Sequence, residues 1–241
     1  MKKQQFLCSL LTSLFISLSL QSFAASSTNS DASSDKTPAL ADPIPYNATA
    51  DNMLGINENG KGLAPGTSID DINPVDINIS DMHGKTFTLQ DAWQQQPALI
   101  VFYRGGWCPF CNRQVREMAV NYDKFKSADV QPILISVDAP DKTAMMTAQY
   151  TIPFPVLSDP DLLAHNAFNV VLTLDEATLE RHKQYGFSLQ DWSGKNHNSI
   201  AVASAFIIDR NGKVLVSHAP EDYRTRPSIE QLLQLIAEHT Q

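Results

Sequence analysis

From residue 66 onward, runs of apolar residues alternate with amphipathic stretches. Val75 to Ile79 alternates around Asp76 and Asn78, Asp81-Met82-His83-Gly84-Lys85 turns the chain, and Thr86 to Leu89 returns; this spacing predicts a hairpin. After Pro97 comes a continuous apolar run, Ala98 to Tyr103, the signature of a strand buried on both faces. Val115, Met118, Ala119, Tyr122 and Phe125 then repeat at helical spacing. Pro132 to Val137 reads as a second buried strand, Asp141 to Tyr150 as a helix with Asp141 as its N-cap, Phe154 to Leu157 as a short edge strand, and Asp161 to Phe168 as another helix. Residues 172–200 show no clear pattern. Ala205 to Ile208 and Val214 to Val216 flank Asn211-Gly212, a strong hairpin signal. Ser228 with Gln231 forms a capping box opening a last helix, whose Ile229, Leu232, Leu233 and Ile236 share one face. This order of elements describes an α/β domain over 66–241, with a central mixed sheet flanked by helices.

The segment before it is different. Residues 25–65 are mostly small, polar or proline, with few large apolar side chains, and read as a flexible polar linker with a short helix near 49–56. Residues 1–24 carry Lys2 and Lys3, an apolar run of about fifteen residues from Phe6 to Leu20, and small residues at Ser22 and Ala24. They read as a secretory signal peptide cleaved after Ala24, since a membrane span needs about twenty apolar residues. Gln5-Phe6-Leu7 lacks the small residues that would make Cys8 a lipoprotein cysteine. The mature protein is therefore expected outside the cytoplasm, in a compartment such as the periplasm, with no stable membrane span. The formal charge of the whole chain is −8, and loss of Lys2 and Lys3 makes it more negative, which argues against nucleic acid as a partner.

Of three cysteines, Cys108 and Cys111 remain after cleavage. Strand 98–103 ends at Arg104-Gly105-Gly106-Trp107, so Cys108 falls at or just before a helix N-terminus and Cys111 one turn along. Thiols at i and i+3 share a helix face and can close a small reversible disulfide. Unpaired amides and the helix dipole favour a thiolate there, Arg104 can add positive charge, and Pro109 suits the first helical turn. Trp107 can shield the thiols or simply pack. A bridge closing so short a loop restrains the unfolded chain little, which weighs against an inert staple. No His pair shows zinc-finger spacing, so no metal is expected, and no cofactor is called for. Met145-Met146 reads as packing rather than a copper site.

Phe102-Tyr103-Arg104-Gly105-Gly106-Trp107-Cys108-Pro109-Phe110-Cys111-Asn112 resembles the active-site strand and turn of the peroxiredoxin-like branch of the alkyl hydroperoxide reductase/thiol-specific antioxidant family. Val156 to Pro160, Phe206 to Gly212 and Asp222-Tyr223-Arg224-Thr225-Arg226 are weaker matches to the same family. The resemblance implies a thioredoxin-like fold and thiol-based reduction of peroxides or disulfides, with regeneration by an external thiol reductant. Counted from Phe102-Tyr103, the peroxidatic position is Cys111, and Cys108 occupies the position where typical peroxiredoxins carry Thr or Ser. The family's supporting arginine has no evident counterpart, since Val202-Ala203-Ser204 precedes Phe206, and Arg224 and Arg226 read as surface residues near the last helix. That stretch also lacks the cis-proline of thioredoxins, so a trans bond is expected before Ala203, the cis form costing about 3–4 kcal/mol.

Three functions fit these residues. The first is an exported dithiol enzyme in which the thiolate attacks a peroxide and the second cysteine condenses with the sulfenic acid. The second is a thiol–disulfide oxidoreductase acting on protein disulfides, with Cys108 attacking as the more exposed sulfur and Cys111 resolving. The third is a secreted binding module with a structural disulfide.

Overall fold

The computed structural model describes residues 60–72 and 76–240. The signal segment, the helix near 49–56 and most of the linker lie outside them. The linker's last residues, 60–65, are tied to the domain: the Gly62 N–H donates to the Asn169 carbonyl at 2.9 Å, and Leu63 packs against the core. A short helix α1 (Ile69–Ile72) precedes β1 (Asn78–Asp81), β2 (Thr86–Thr88) and α2 (Asp91–Gln94). Next come β3 (Ala98–Phe102), α3 (Pro109–Val120), α4 (Tyr122–Ser127), β4 (Gln131–Ser136), α5 (Pro140–Tyr150), β5 (Val156–Ser158) and α6 (Leu163–Ala167). Then β6 (Val171–Thr173), α7 (Glu176–Gln184), α8 (Leu189–Ser193) and β7 (Ser199–Ala201) lead to β8 (Ser204–Ile208), β9 (Val214–His218) and α9 (Ile229–His239).

Seven strands form one sheet in the order β2-β1-β5-β4-β3-β8-β9, and β6 pairs with β7. Strands β3, β4 and β5 run parallel, while β8 lies antiparallel to β3 and β9 antiparallel to β8. The mixed sheet flanked by helices is the architecture expected. Alternation along β3 serves both faces of the sheet. Ala98, Ile100 and Phe102 point into one core with Phe168, Leu172, Ile200 and Phe206, and Leu99, Val101 and Tyr103 point into the other with Val115, Met118, Leu232 and Ile236. The peptide bond before Ala203 is trans, as are all those described.

Several boundaries differ from the sequence reading. Strand β5 is not at an edge, because β1 pairs with it antiparallel and buries it between β1 and β4. Ala139, not Asp141, is the N-cap of α5, since Pro140 takes the first helical position with its φ already set. The helix after Cys108 ends at Val120: Asn121 leaves the helical conformation, and its side-chain Nδ2 donates to the Glu117 carbonyl at 2.8 Å. Helix α6 begins later than Asp161, where the Asp159 carboxylate accepts the Leu163 and His165 N–H groups at 2.8 and 2.9 Å. The unread stretch 172–200 is mostly two short helices and β7, laid over the first core. The capping box at Ser228 and Gln231 forms as the sequence indicates. Among the described residues no helix is long and apolar enough to cross a membrane.

Candidate active site

The carboxyl ends of β3 and β4 lie side by side in the parallel part of the sheet, where open α/β folds place their sites. From β3 the chain turns through Arg104 to Trp107. Cys108 is the N-cap of α3, Pro109 its first residue and Cys111 its third. From β4 comes Asp138, fully buried, whose Oδ2 accepts the Gly106 N–H at 2.7 Å. The turn is further held by the Cys108 N–H on the Gly105 carbonyl at 3.1 Å and Asn112 Nδ2 on the Gly106 carbonyl at 2.8 Å. Gly105 has a φ of +144°, and a Cβ there would strike Trp107 Nε1 and come within 2.8 Å of Asp138 Oδ1. Glycine is required at that position.

Both sulfurs are free thiols, and both cysteines are buried, 1% exposed for Cys108 and 0% for Cys111. Cys108 is the more exposed of the two only by that margin, so neither sulfur is open to solvent in this state. The two sulfurs are hydrogen-bonded to each other and titrate in opposite directions. Burial alone would push Cys111 up. The hydrogen bond from Cys108, the Arg226 charge, a backbone hydrogen bond from Arg104 and the Arg104 charge together outweigh it and bring Cys111 down to about 6. Cys108 moves well above the ordinary thiol range because its proton serves Cys111, with burial adding to the effect.

Arg226 is the residue that sequence reasoning missed. Its Nη2 donates to Cys111 Sγ at 3.3 Å, Nη1 to Gln114 Oε1 at 2.6 Å and Nε to the Tyr223 carbonyl at 2.7 Å. It is not a solvated surface side chain but a guanidinium oriented by three hydrogen bonds. It lies 115 positions from Cys111, so no local spacing signals the contact. The one available signal was the Asp222 to Arg226 match. Arg224 pairs with Asp222 at 2.6 and 2.8 Å.

Arg104 is also buried rather than solvated, at 6% exposure, with its guanidinium 4.2 Å from the Tyr223 ring centre and 5.1 Å from that of Trp107. Trp107 packs on Phe187 with ring centres 4.4 Å apart and on His182 at 5.6 Å, so the stretch without a clear pattern supplies the wall behind it. Burial, followed by the neighbouring Arg104 and Arg181 charges, lowers the His182 pKa. Of Met145-Met146, Met146 is buried in the second core and Met145 is exposed.

A thiolate held by a guanidinium and backbone, with a protonated thiol beside it, can attack an electrophilic oxygen or sulfur and then close a disulfide. The model of the AhpC/TSA family matches residues 70–217. Peroxiredoxin Bcp of Escherichia coli K12 is 26% identical over 177 residues, 73% of this chain and 94% of that protein. A chloroplastic peroxiredoxin Q of Populus jackii is 29% identical over 116 residues, 48% of this chain and 49% of that one. The crystal structure of peroxidoxin BcpB from Mycobacterium tuberculosis superposes with a TM-score of 0.57 at 17% identity, covering 73% of this chain and 97% of that one.

Proposed function

The chain belongs to the AhpC/TSA family and is a thiol-dependent oxidoreductase, and on that premise we propose that it reduces peroxides with Cys111 as the attacking sulfur and Cys108 as the resolving thiol. The observation that carries this is the Arg226 guanidinium on Cys111 Sγ, beside a Cys108 held as the thiol. The Cys111 thiolate attacks one peroxide oxygen, giving a sulfenic acid and an alcohol or water. Cys108 then condenses with the sulfenic acid, releasing water and closing the disulfide. An external thiol, from a small molecule or a thioredoxin-like protein, reopens it. In the reduced protein, attack on a folded protein's disulfide needs in-line approach to an exposed sulfur, and the burial of both cysteines in this state opposes it.

Cys111→Ser is expected to abolish hydrogen peroxide consumption, while Cys108→Ser reacts once and carries a dimedone-trappable sulfenic acid at Cys111. A sulfenic acid on Cys108 in Cys111→Ser would overturn the assignment. The reading also includes export by residues 1–24, supported by their charge and apolar pattern. The intact mass of the exported protein should begin at Ala25; a periplasmic form retaining residues 1–24 would refute cleavage.

A further inference from the structure

Among the described residues, every group hydrogen-bonded to Arg226 is neutral except the sulfur it serves. Nη2 reaches Cys111 Sγ at 3.3 Å, Nη1 reaches Gln114 Oε1 at 2.6 Å and Nε reaches the Tyr223 carbonyl at 2.7 Å. Among the described residues no carboxylate pairs with it. Asp222, four residues earlier, is engaged by Arg224 through two hydrogen bonds at 2.6 and 2.8 Å. The planar fork of arginine suits a carboxylate. Here an amide stands in that place.

Gln114 lies on α3 three residues after Cys111, so the two side chains share a helix face one turn apart. It is 5% exposed. One guanidinium therefore spans successive turns of α3, with one nitrogen on the sulfur and another on the amide oxygen. Resting on the peroxidase reading, we infer that Gln114 is the positioning residue that aims Arg226 at Cys111, and that as a neutral amide it does so while leaving the guanidinium's charge to the sulfur.

The argument rests on two properties of the amide. Its oxygen accepts a hydrogen bond and so fixes the direction of the guanidinium. It carries no charge, so it neither neutralises Arg226 nor repels a thiolate one turn away. A carboxylate at 114 would hold the guanidinium as firmly, but it would do both. The ionisable groups around Cys111 are Cys108 at the start of α3, Tyr103 and Arg104 just after β3, Asp138 after β4, and Arg226 before α9. Gln114 acts through the last of these and touches neither substrate nor reacting atoms.

The test is the appearance of the Cys111 thiolate with pH, read from absorbance at 240 nm in the reduced protein, where the parent is half ionised at about pH 6. Q114M removes the acceptor at nearly constant volume, and Q114E keeps an acceptor while adding charge. At that pH the thiolate fraction should fall about twofold in Q114M and at least about fivefold in Q114E. In an R226A background, adding Q114M should move the midpoint no further. A merely structural amide would cost stability in urea unfolding and leave the titration where it was. An unmoved titration in folded Q114M, an equal movement with and without Arg226, or a Q114E shift no larger than that of Q114M would overturn the inference. Should Q114M not accumulate, Q114A replaces it in both backgrounds, with the same outcomes. A parent that fails to consume hydrogen peroxide would count against the peroxidase reading, while the titration, which needs no peroxide, still decides the role of Gln114.

Discussion

At the scale of single residues, the site depends on one guanidinium. A hydrogen bond to a charged group contributes roughly 1.5–3 kcal/mol, or about one to two pKa units on the sulfur it serves. Arg226→Ala should therefore move Cys111 upward from about 6. The sign follows from the thiolate being the reactive form: in the parent, peroxide reactivity is retained above pH 6 and lost as the pH falls through it. In Arg226→Ala that loss shifts to higher pH, and at pH 7 the rate should fall about two- to tenfold. Arg226→Lys keeps the charge but cannot hold Gln114 and the Tyr223 carbonyl together, so it should recover only part of the rate. Stopped-flow peroxide consumption across pH 5–9 checks all three proteins. An unmoved profile in Arg226→Ala would remove Arg226 from the account.

At the scale of elements, what matters is where helices begin. Pro109 and the Cys108 N-cap start α3 within the site, and Ser228 starts α9 two residues after Arg226. Helix α9 buries Ile229, Leu232 and Ile236 in the core that also contains Cys108 and Cys111. Its capping box satisfies donors that the helix itself cannot. Ser228→Ala should cost about 1 kcal/mol in urea unfolding. Because fraying at that end loosens the segment carrying Arg226, the variant should also show a small upward shift of the Cys111 titration. Lost stability with an unchanged titration would mean that the cap and the site are independent.

For the whole molecule, the sheet separates two cores. The first, with Phe102, Phe168, Ile200 and Phe206, is covered by the segment 170–202, and the second holds the thiols. Ile200 on β7 is fully buried in the first. Ile200→Ala should lower stability by about 2–5 kcal/mol through the cavity it leaves. It should leave the Cys111 titration in place, because the sheet lies between. Chemical denaturation and absorbance at 240 nm on the same sample check both halves of that statement.

The amino-acid sequence by itself determined what local spacing can encode. The double-sided run of β3, the Asn211-Gly212 hairpin, the Ser228 box and the CxxC pair at a helix start all rest on contacts within a few residues. Composition also marked residues 25–65 as a polar stretch of the chain. Tertiary structure alone decided the rest. Strand β5 became central because β1 returns to pair with it, and a three-residue strand carries no mark of who its neighbours are. The stretch 172–200 lacked a pattern because its helices are short and most of their residues face outward, leaving too few buried positions to set a period. Arg226 reached Cys111 across 115 residues, and Asp138 came beneath the turn because parallel strands place their carboxyl ends together. The sequence therefore named the two thiols, but which of them is ionised depends on charges and burial that arise only when distant segments meet.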